Sequence, residues 1–168
     1  MDQHPPRSKP RKNSPPQSLR GRALRLLGRR EFTRQELEGR LRSHADPEIP
    51  AQLALLLDDL AQRGWLSDAR YAEALVRKRA GQFSRRAVEQ ELKRAGVSEE
   101  VSVIALAEAD PDAEFAAALA LCKRKFRQAP VDQKEKARQL RFLQSRGYSL
   151  TLALRVLKQR GSASDVES

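Results

Sequence analysis

Apolar residues recur along most of this chain at intervals of three and four, with charged residues between them. Ala23, Leu24 and Leu27 open the series, followed by Leu37 and Leu41, then by Leu53, Leu56, Leu57 and Leu60. Ala72, Leu75 and Val76 come next, then Val88, Leu92 and Ala95, then Val101, Ile104 and Ala105. A longer stretch carries Phe115, Leu119, Cys122 and Phe126; the last two carry Ala137, Leu140 and Leu143, and Leu150, Ala153, Leu154 and Leu157. Spacing of this kind places one apolar stripe on each segment of helix, so the pattern predicts nine amphipathic helices and an all-α fold.

The breaks between these helices repeat. Phe32-Thr33-Arg34-Gln35-Glu36-Leu37 reads as a helix start: Thr33 is the N-cap, Glu36 is placed to close a capping box, and Phe32 can staple onto Leu37. Fifty-one residues on, Phe83-Ser84-Arg85 opens another helix with Ser84 as cap and Phe83 placed to staple onto Val88. The same offset matches Leu41 with Leu92 and Gly96-Val97-Ser98 with Gly147-Tyr148-Ser149, where a glycine ends one helix and a serine caps the next. Caps falling in register with apolar positions predict a tandem repeat of three three-helix modules, 19–66, 67–109 and 110–161, stacked as an elongated array. Residues 1–18 hold five prolines and no aliphatic side chain, which predicts a disordered basic arm, and residues 162–168 read as a flexible tail.

Composition agrees with helices and adds a charge argument. Aromatics are 5% of the 168 residues, charged residues 33%, and Leu and Ala dominate the apolar set. The net charge of +11 is unevenly placed. It is +3 in the arm, +2 over 19–66 and +1 over 67–109, then −3 over 110–122 and +10 over 123–160, with −2 in the tail. A solvated surface mixes signs, as the first two modules do; a one-signed block repels itself and suits a polyanion. Arg124, Lys125, Arg127, Lys134, Lys136, Arg138, Arg141 and Arg146 are the candidate contacts. Lys134, Arg138 and Arg141 are spaced to share one helix face, and the contacts expected are to phosphates rather than bases. Trp65, Tyr71, Phe126, Phe142 and Tyr148 fall mostly on apolar stripes and are assigned mostly to the core.

Little here suits catalysis. The two histidines, His4 and His44, have no neighbours fit for general-base work or metal ligation. Cys122, the single cysteine, sits on an apolar stripe, so it reads as a buried thiol and no internal disulfide can form. Asp58-Asp59 diverge by about 100° around a helix, which makes a metal pair a poor reading and solvated carboxylates the better one. No Gly-rich phosphate loop, signal peptide or membrane-length apolar run appears. The expectation is a soluble cytoplasmic binding protein without catalytic activity, cofactor or metal.

Three stretches resemble the RecX family, regulators of the bacterial recombinase RecA. They are Arg63-Gly64-Trp65-Leu66-Ser67-Asp68-Ala69-Arg70-Tyr71-Ala72, Val88-Glu89-Gln90-Glu91-Leu92 with Gly96-Val97, and Arg141-Phe142-Leu143-Gln144-Ser145-Arg146-Gly147-Tyr148-Ser149. Gly64, Asp68, Arg70, Tyr71, Phe142 and Gly147 carry the family motifs. A departure is Gln82-Phe83-Ser84, with Gly81 just ahead, where the family has a Gly-aromatic-Gly turn. The resemblance implies a curved stack of three-helix repeats. It implies binding, as a monomer, in the groove of the RecA–single-stranded-DNA filament, with DNA phosphates among the contacts. It also implies restraint of ATP hydrolysis and strand exchange, with a part in homologous recombination, DNA repair and the SOS response. Two alternatives stand beside it: a sequence-nonspecific nucleic-acid-binding module or helix-turn-helix-like transcriptional regulator, and a scaffold with no nucleic-acid role.

Overall fold

In a computed structural model, residues 18–107 and 111–164 are described. Among them are nine α-helices and no strand. They are α1 (Leu19–Leu27), α2 (Arg34–Leu41), α3 (Ala51–Gln62), α4 (Asp68–Arg79), α5 (Arg85–Arg94), α6 (Glu99–Ala105), α7 (Pro111–Lys125), α8 (Gln133–Ser145) and α9 (Leu150–Ser164). A short 3₁₀ turn, Arg42–His44, follows α2. The expected arm lies outside the described residues except for Ser18, whose hydroxyl accepts from Gly21 N–H and caps α1. Of the expected tail, residues 162–164 continue α9, and 165–168 lie outside the description.

The helices form three cores in chain order. Leu37, Leu41, Leu57 and Leu60 centre the first, among α1, α2 and α3. Ala72, Leu75, Val88 and Leu92 centre the second, among α4, α5 and α6. Leu121, Cys122, Leu143 and Val156 centre the third, among α7, α8 and α9. Each middle helix begins with a side-chain cap: Thr33 on Glu36 N–H, Ser84 on Ala87 N–H and Asp132 on Glu135 N–H. Such a cap satisfies one of the backbone donors that a helix start leaves open. The capping box expected at Glu36 does not close, because its carboxylate is drawn away to Arg30 Nη1 (2.9 Å) and Tyr71 Oη (3.3 Å).

The 51-residue offset also governs how neighbouring units meet. At the first joint Thr33 Oγ1 donates to Ala95 O (2.6 Å); at the second, Ser84 N–H donates to Arg146 O (2.9 Å). Position 33 maps onto 84 and 95 onto 146, so each middle-helix start is pinned by the end of the next unit's middle helix. Gly96 and Gly147, at φ +83° and +88°, follow those ends. A Cβ on Gly147 would lie 2.6 Å from both Ser84 Oγ and Ala87 Cβ, and one on Gly96 would meet the Gln35 side chain. Glycine is needed there for both the left-handed backbone and the close approach.

Candidate polyanion-binding surface

The last unit's surface rests on a segment that its own interior holds. Residues 126–132 connect α7 to α8, and Arg160 of α9 reaches under them, its Nη2 donating to Phe126 O (2.6 Å) and Gln128 O (2.7 Å). Gln139 Nε2 donates to Gln128 O as well, and the Cys122 thiol donates to Gln139 Oε1 at 3.6 Å. Arg160 is 5% exposed and Gln139 3%, so this network is internal. Arg160 thus leaves the surface block to which its sequence position assigned it. Burial pushes the Cys122 thiol above its ordinary range, the direction that keeps it protonated and unreactive.

On that support the predicted cations separate into groups. Arg124 and Lys125 end α7, and Arg127 follows; all three are exposed. Lys134, Arg138 and Arg141 are exposed along one face of α8, with Leu143 buried and Leu140 packed on the core behind them. Arg127 and Arg138 meet across a groove of about 330 Å³ that Phe126, Gln128, Glu135 and Gln139 also line. Lys136 is exposed but lies about 160° around α8 from that face. Arg146 is half-buried at the second joint, its guanidinium 4.8 Å from the Phe83 ring centre and 5.6 Å from that of Phe142. It fixes a joint more than it offers a free charge.

Three acids of the third unit are engaged by backbone N–H groups. Asp132 accepts from Glu135 N–H (2.7 Å), Glu135 from Val131 N–H (3.2 Å), and Glu114 from Arg85 N–H (3.3 Å). Among the described residues, none of Arg124, Lys125, Arg127, Lys134, Lys136, Arg138 and Arg141 is in an ion pair. The earlier units differ: Arg20 and Arg63 bind Asp59, Arg34 binds Asp58, Arg70 binds Glu31 and Arg79 binds Glu91. Asp58 and Asp59, expected as solvated carboxylates, lie at the surface in ion pairs, and Arg63 with Arg20 holds the Asp59 carboxyl below its usual range.

Of the motif residues, Asp68, Arg70 and Tyr71 meet the first unit at the first joint. Asp68 accepts from Arg34 N–H (2.9 Å), capping α2 from the next unit as Glu114 caps α5. Arg70 Nε donates to Glu31 (3.0 Å), while its Nη1 and Nη2 donate to Gly64 O (2.7 Å) and Trp65 O (3.2 Å). Tyr71 donates to Glu36, and burial followed by that carboxylate raises its pKa. Gly64 takes φ +69° at the turn before α4. Phe142 packs edge-to-face on Phe126, centroids 5.4 Å apart. Of the five aromatics assigned mostly to the core, Trp65 is the exception: it is 44% exposed, whereas Tyr148 is buried and Tyr71, Phe126 and Phe142 are half-buried.

Among the described residues no group of three or more His, Cys, Asp or Glu is placed to hold a metal ion, and no helix is long and apolar enough to cross a membrane. His44 is exposed in the 3₁₀ turn beside Ser43; His4 lies outside the description.

Repeated three-helix cores, joints in one register and an exposed cationic face on the last unit define a helical repeat protein. The sequence matches the family patterns described as RecX, second three-helix domain, over residues 67–106, and RecX, third three-helix domain, over residues 112–157. Regulatory protein RecX of Leptothrix cholodnii is 42% identical over 146 residues, spanning 87% of this chain and 91% of that one. Regulatory protein RecX of Neisseria meningitidis is 38% identical over 144 residues, spanning 86% and 92%. The crystal structure of RecX from Lactobacillus salivarius shares the fold at a TM-score of 0.68 and 17% identity, over 85% of this chain and 94% of that one. The chain belongs to the RecX family.

Proposed function

We propose that this chain is a cytoplasmic, monomeric, non-catalytic regulator that lies along a RecA–single-stranded-DNA filament and restrains its ATP hydrolysis and strand exchange. Family membership supports the regulatory part of this reading. The observation that carries the contact is the face of Lys134, Arg138 and Arg141 with the neighbouring Arg124, Lys125 and Arg127. Its cations are exposed, one-signed and outside any ion pair among the described residues, while nearby acids are held by backbone N–H groups. Three units, 19–66, 67–109 and 110–161, locked by joints in a common register, give an array that contacts an elongated partner at several points.

The test adds the full chain to RecA, single-stranded DNA and ATP and follows hydrolysis. A fall in rate at substoichiometric protein is expected, and an unchanged rate with saturating protein sinks the reading. If hydrolysis is untouched while the chain alone shifts DNA in a salt-dependent manner, the nucleic-acid-binding alternative takes its place.

A further inference from the structure

Of the eight aromatic side chains, all among the described residues, Trp65 alone is exposed. It stands outside the first core although the adjacent Leu66 is part of it. Its backbone is fixed: Gly64 makes the turn, Trp65 N–H donates to Leu60 O (2.9 Å), and Trp65 O accepts from Arg70. Two guanidiniums, those of Arg20 from α1 and Arg63 from the end of α3, each lie 5.6 Å from the ring centre. Asp59 holds both, at 2.7 Å and 2.8 Å, so the cations are positioned before any partner arrives. The other Arg–aromatic contacts, such as Arg30 on Phe32 and Arg138 on Phe126, involve rings packed on a core.

We infer that Trp65, with Arg20 and Arg63, is a stacking site for an unpaired base of single-stranded nucleic acid. A strand offers a flat base and a phosphate at each nucleotide, which suits an exposed ring with two cations close to it. The inference takes single-stranded DNA as the partner from the proposed function. It adds a base contact in the first unit to the phosphate contacts of the third.

Trp65 is the single tryptophan, so its emission reports on the site directly. The full-length chain, without recombinase, is titrated with a short oligothymidylate and with an abasic deoxyribose-phosphate strand of equal length. Binding is followed in parallel by the anisotropy of a label on the strand. Emission quenched by oligothymidylate, and not by the bound abasic strand, is the expected result. Trp65→Ala weakens oligothymidylate binding about tenfold and leaves the abasic strand unaffected; Trp65→Phe, which keeps a ring, loses less. Circular dichroism checks that both variants remain helical. Absence of binding, binding without quenching, or equal weakening of both strands in Trp65→Ala overturns the site. The polyanion surface is judged separately: if Lys134→Glu/Arg138→Glu/Arg141→Glu binds oligothymidylate as the parent does and still quenches, that surface fails and the stacking site stands.

Discussion

The first and third units share a plan and use their charges in opposite ways. Both pack three helices around a leucine-rich core and start the middle helix with an oxygen cap. In the first, Arg20, Arg30, Arg34, Arg42 and Arg63 are each held by a carboxylate of the same unit. In the third, Asp132 and Glu135 accept from backbone N–H groups, and among the described residues the arginines and lysines of α8 stay outside any ion pair. Exposed ion pairs contribute little to stability, so the first unit gains only modestly from its pairs. The third unit carries the self-repulsion of a one-signed face. A fold that needed only stability would mix the signs, which is why the difference points to a partner.

The sharpest way to break this comparison is a matched pair of triple reversals. Lys134→Glu/Arg138→Glu/Arg141→Glu is expected to weaken filament binding by roughly two orders of magnitude at 0.1 M salt. It should lower the salt slope by about 2 to 3, since each lost phosphate contact removes about 0.7 to 0.9. Arg25, Arg29 and Arg40 are exposed in the first unit and outside its ion pairs, so their reversal is the control. It should cost less than about tenfold, because the first unit as a whole is nearly charge-balanced. Equal losses measured by anisotropy against salt would mean that position along the array is irrelevant.

Next come the joints, where the register is common but the neighbours differ. At Gly147 an added Cβ meets Ser84 Oγ, Ala87 Cβ and, at 3.4 Å, the Ala87 Cα of the backbone. At Gly96 it meets the Gln35 amide, which can swing aside, and at 2.8 Å the Gln35 Cβ, which moves only with its backbone. Gly147→Ala should cost about 3 kcal/mol, from left-handed strain plus overpacking, and lower the melting temperature by roughly 6 to 12 °C. Gly96→Ala should cost somewhat less, about 2 kcal/mol, from the same strain plus the contact with Gln35 Cβ, because the rest of that side chain swings away. Denaturant melts giving the reverse order would show that the joints are not locked by these contacts.

Thr33 and Ser84 separate the joints on a finer scale. The Thr33 hydroxyl accepts from Glu36 N–H and also donates to Ala95 O, whereas at Ser84 the backbone N–H makes the contact to the next unit. Thr33→Ala therefore loses a cap and a joint bond and strands a carbonyl, about 2 kcal/mol, while Ser84→Ala loses the cap alone, about 1 kcal/mol. Identical melting shifts for the two variants would remove the distinction.

What the sequence could and could not disclose follows from range. The caps at Thr33, Ser84 and Ser98 and the positive-φ glycines at Gly96 and Gly147 depend on a few adjacent residues, so their spacing shows in the chain. Glu36 fits the local box, yet Arg30 and Tyr71, the latter 35 residues away, hold its carboxylate instead. Asp68 caps a helix that starts 34 residues earlier, and Arg160 supports carbonyls more than 30 residues back. No local pattern announces these. Counting charge located the basic segment but treated Arg160 and Arg146 as surface cations, because a tally of charges takes no account of burial. The exposure of Trp65 was hidden too: Leu66 next to it is core, and local spacing does not say which of the two faces outward.

The smallest expected effect concerns salt and stability, and it tests the charge comparison without any partner. Raising ionic strength from about 0.05 M to 0.5 M shortens the screening length from roughly 14 Å to 4 Å. In the first unit this weakens pairs such as Arg34–Asp58 and Arg42–Glu38, which are solvent-exposed and lose at most a few tenths of a kcal/mol each. In the third unit it screens repulsion among Lys134, Arg138, Arg141 and their neighbours, so the same salt stabilises that unit by a comparable amount. Amide hydrogen exchange resolved by helix reads the two signs separately. Protection in α8 and α9 should rise with salt while that in α2 and α3 falls slightly or holds. A specific anion seated between Arg127 and Arg138 would stabilise the third unit too, but more with phosphate than with chloride at equal ionic strength. Running both salts therefore separates screening from binding. If α8 loses protection as salt rises, its cations are held by attractive contacts, and the contrast between the units fails.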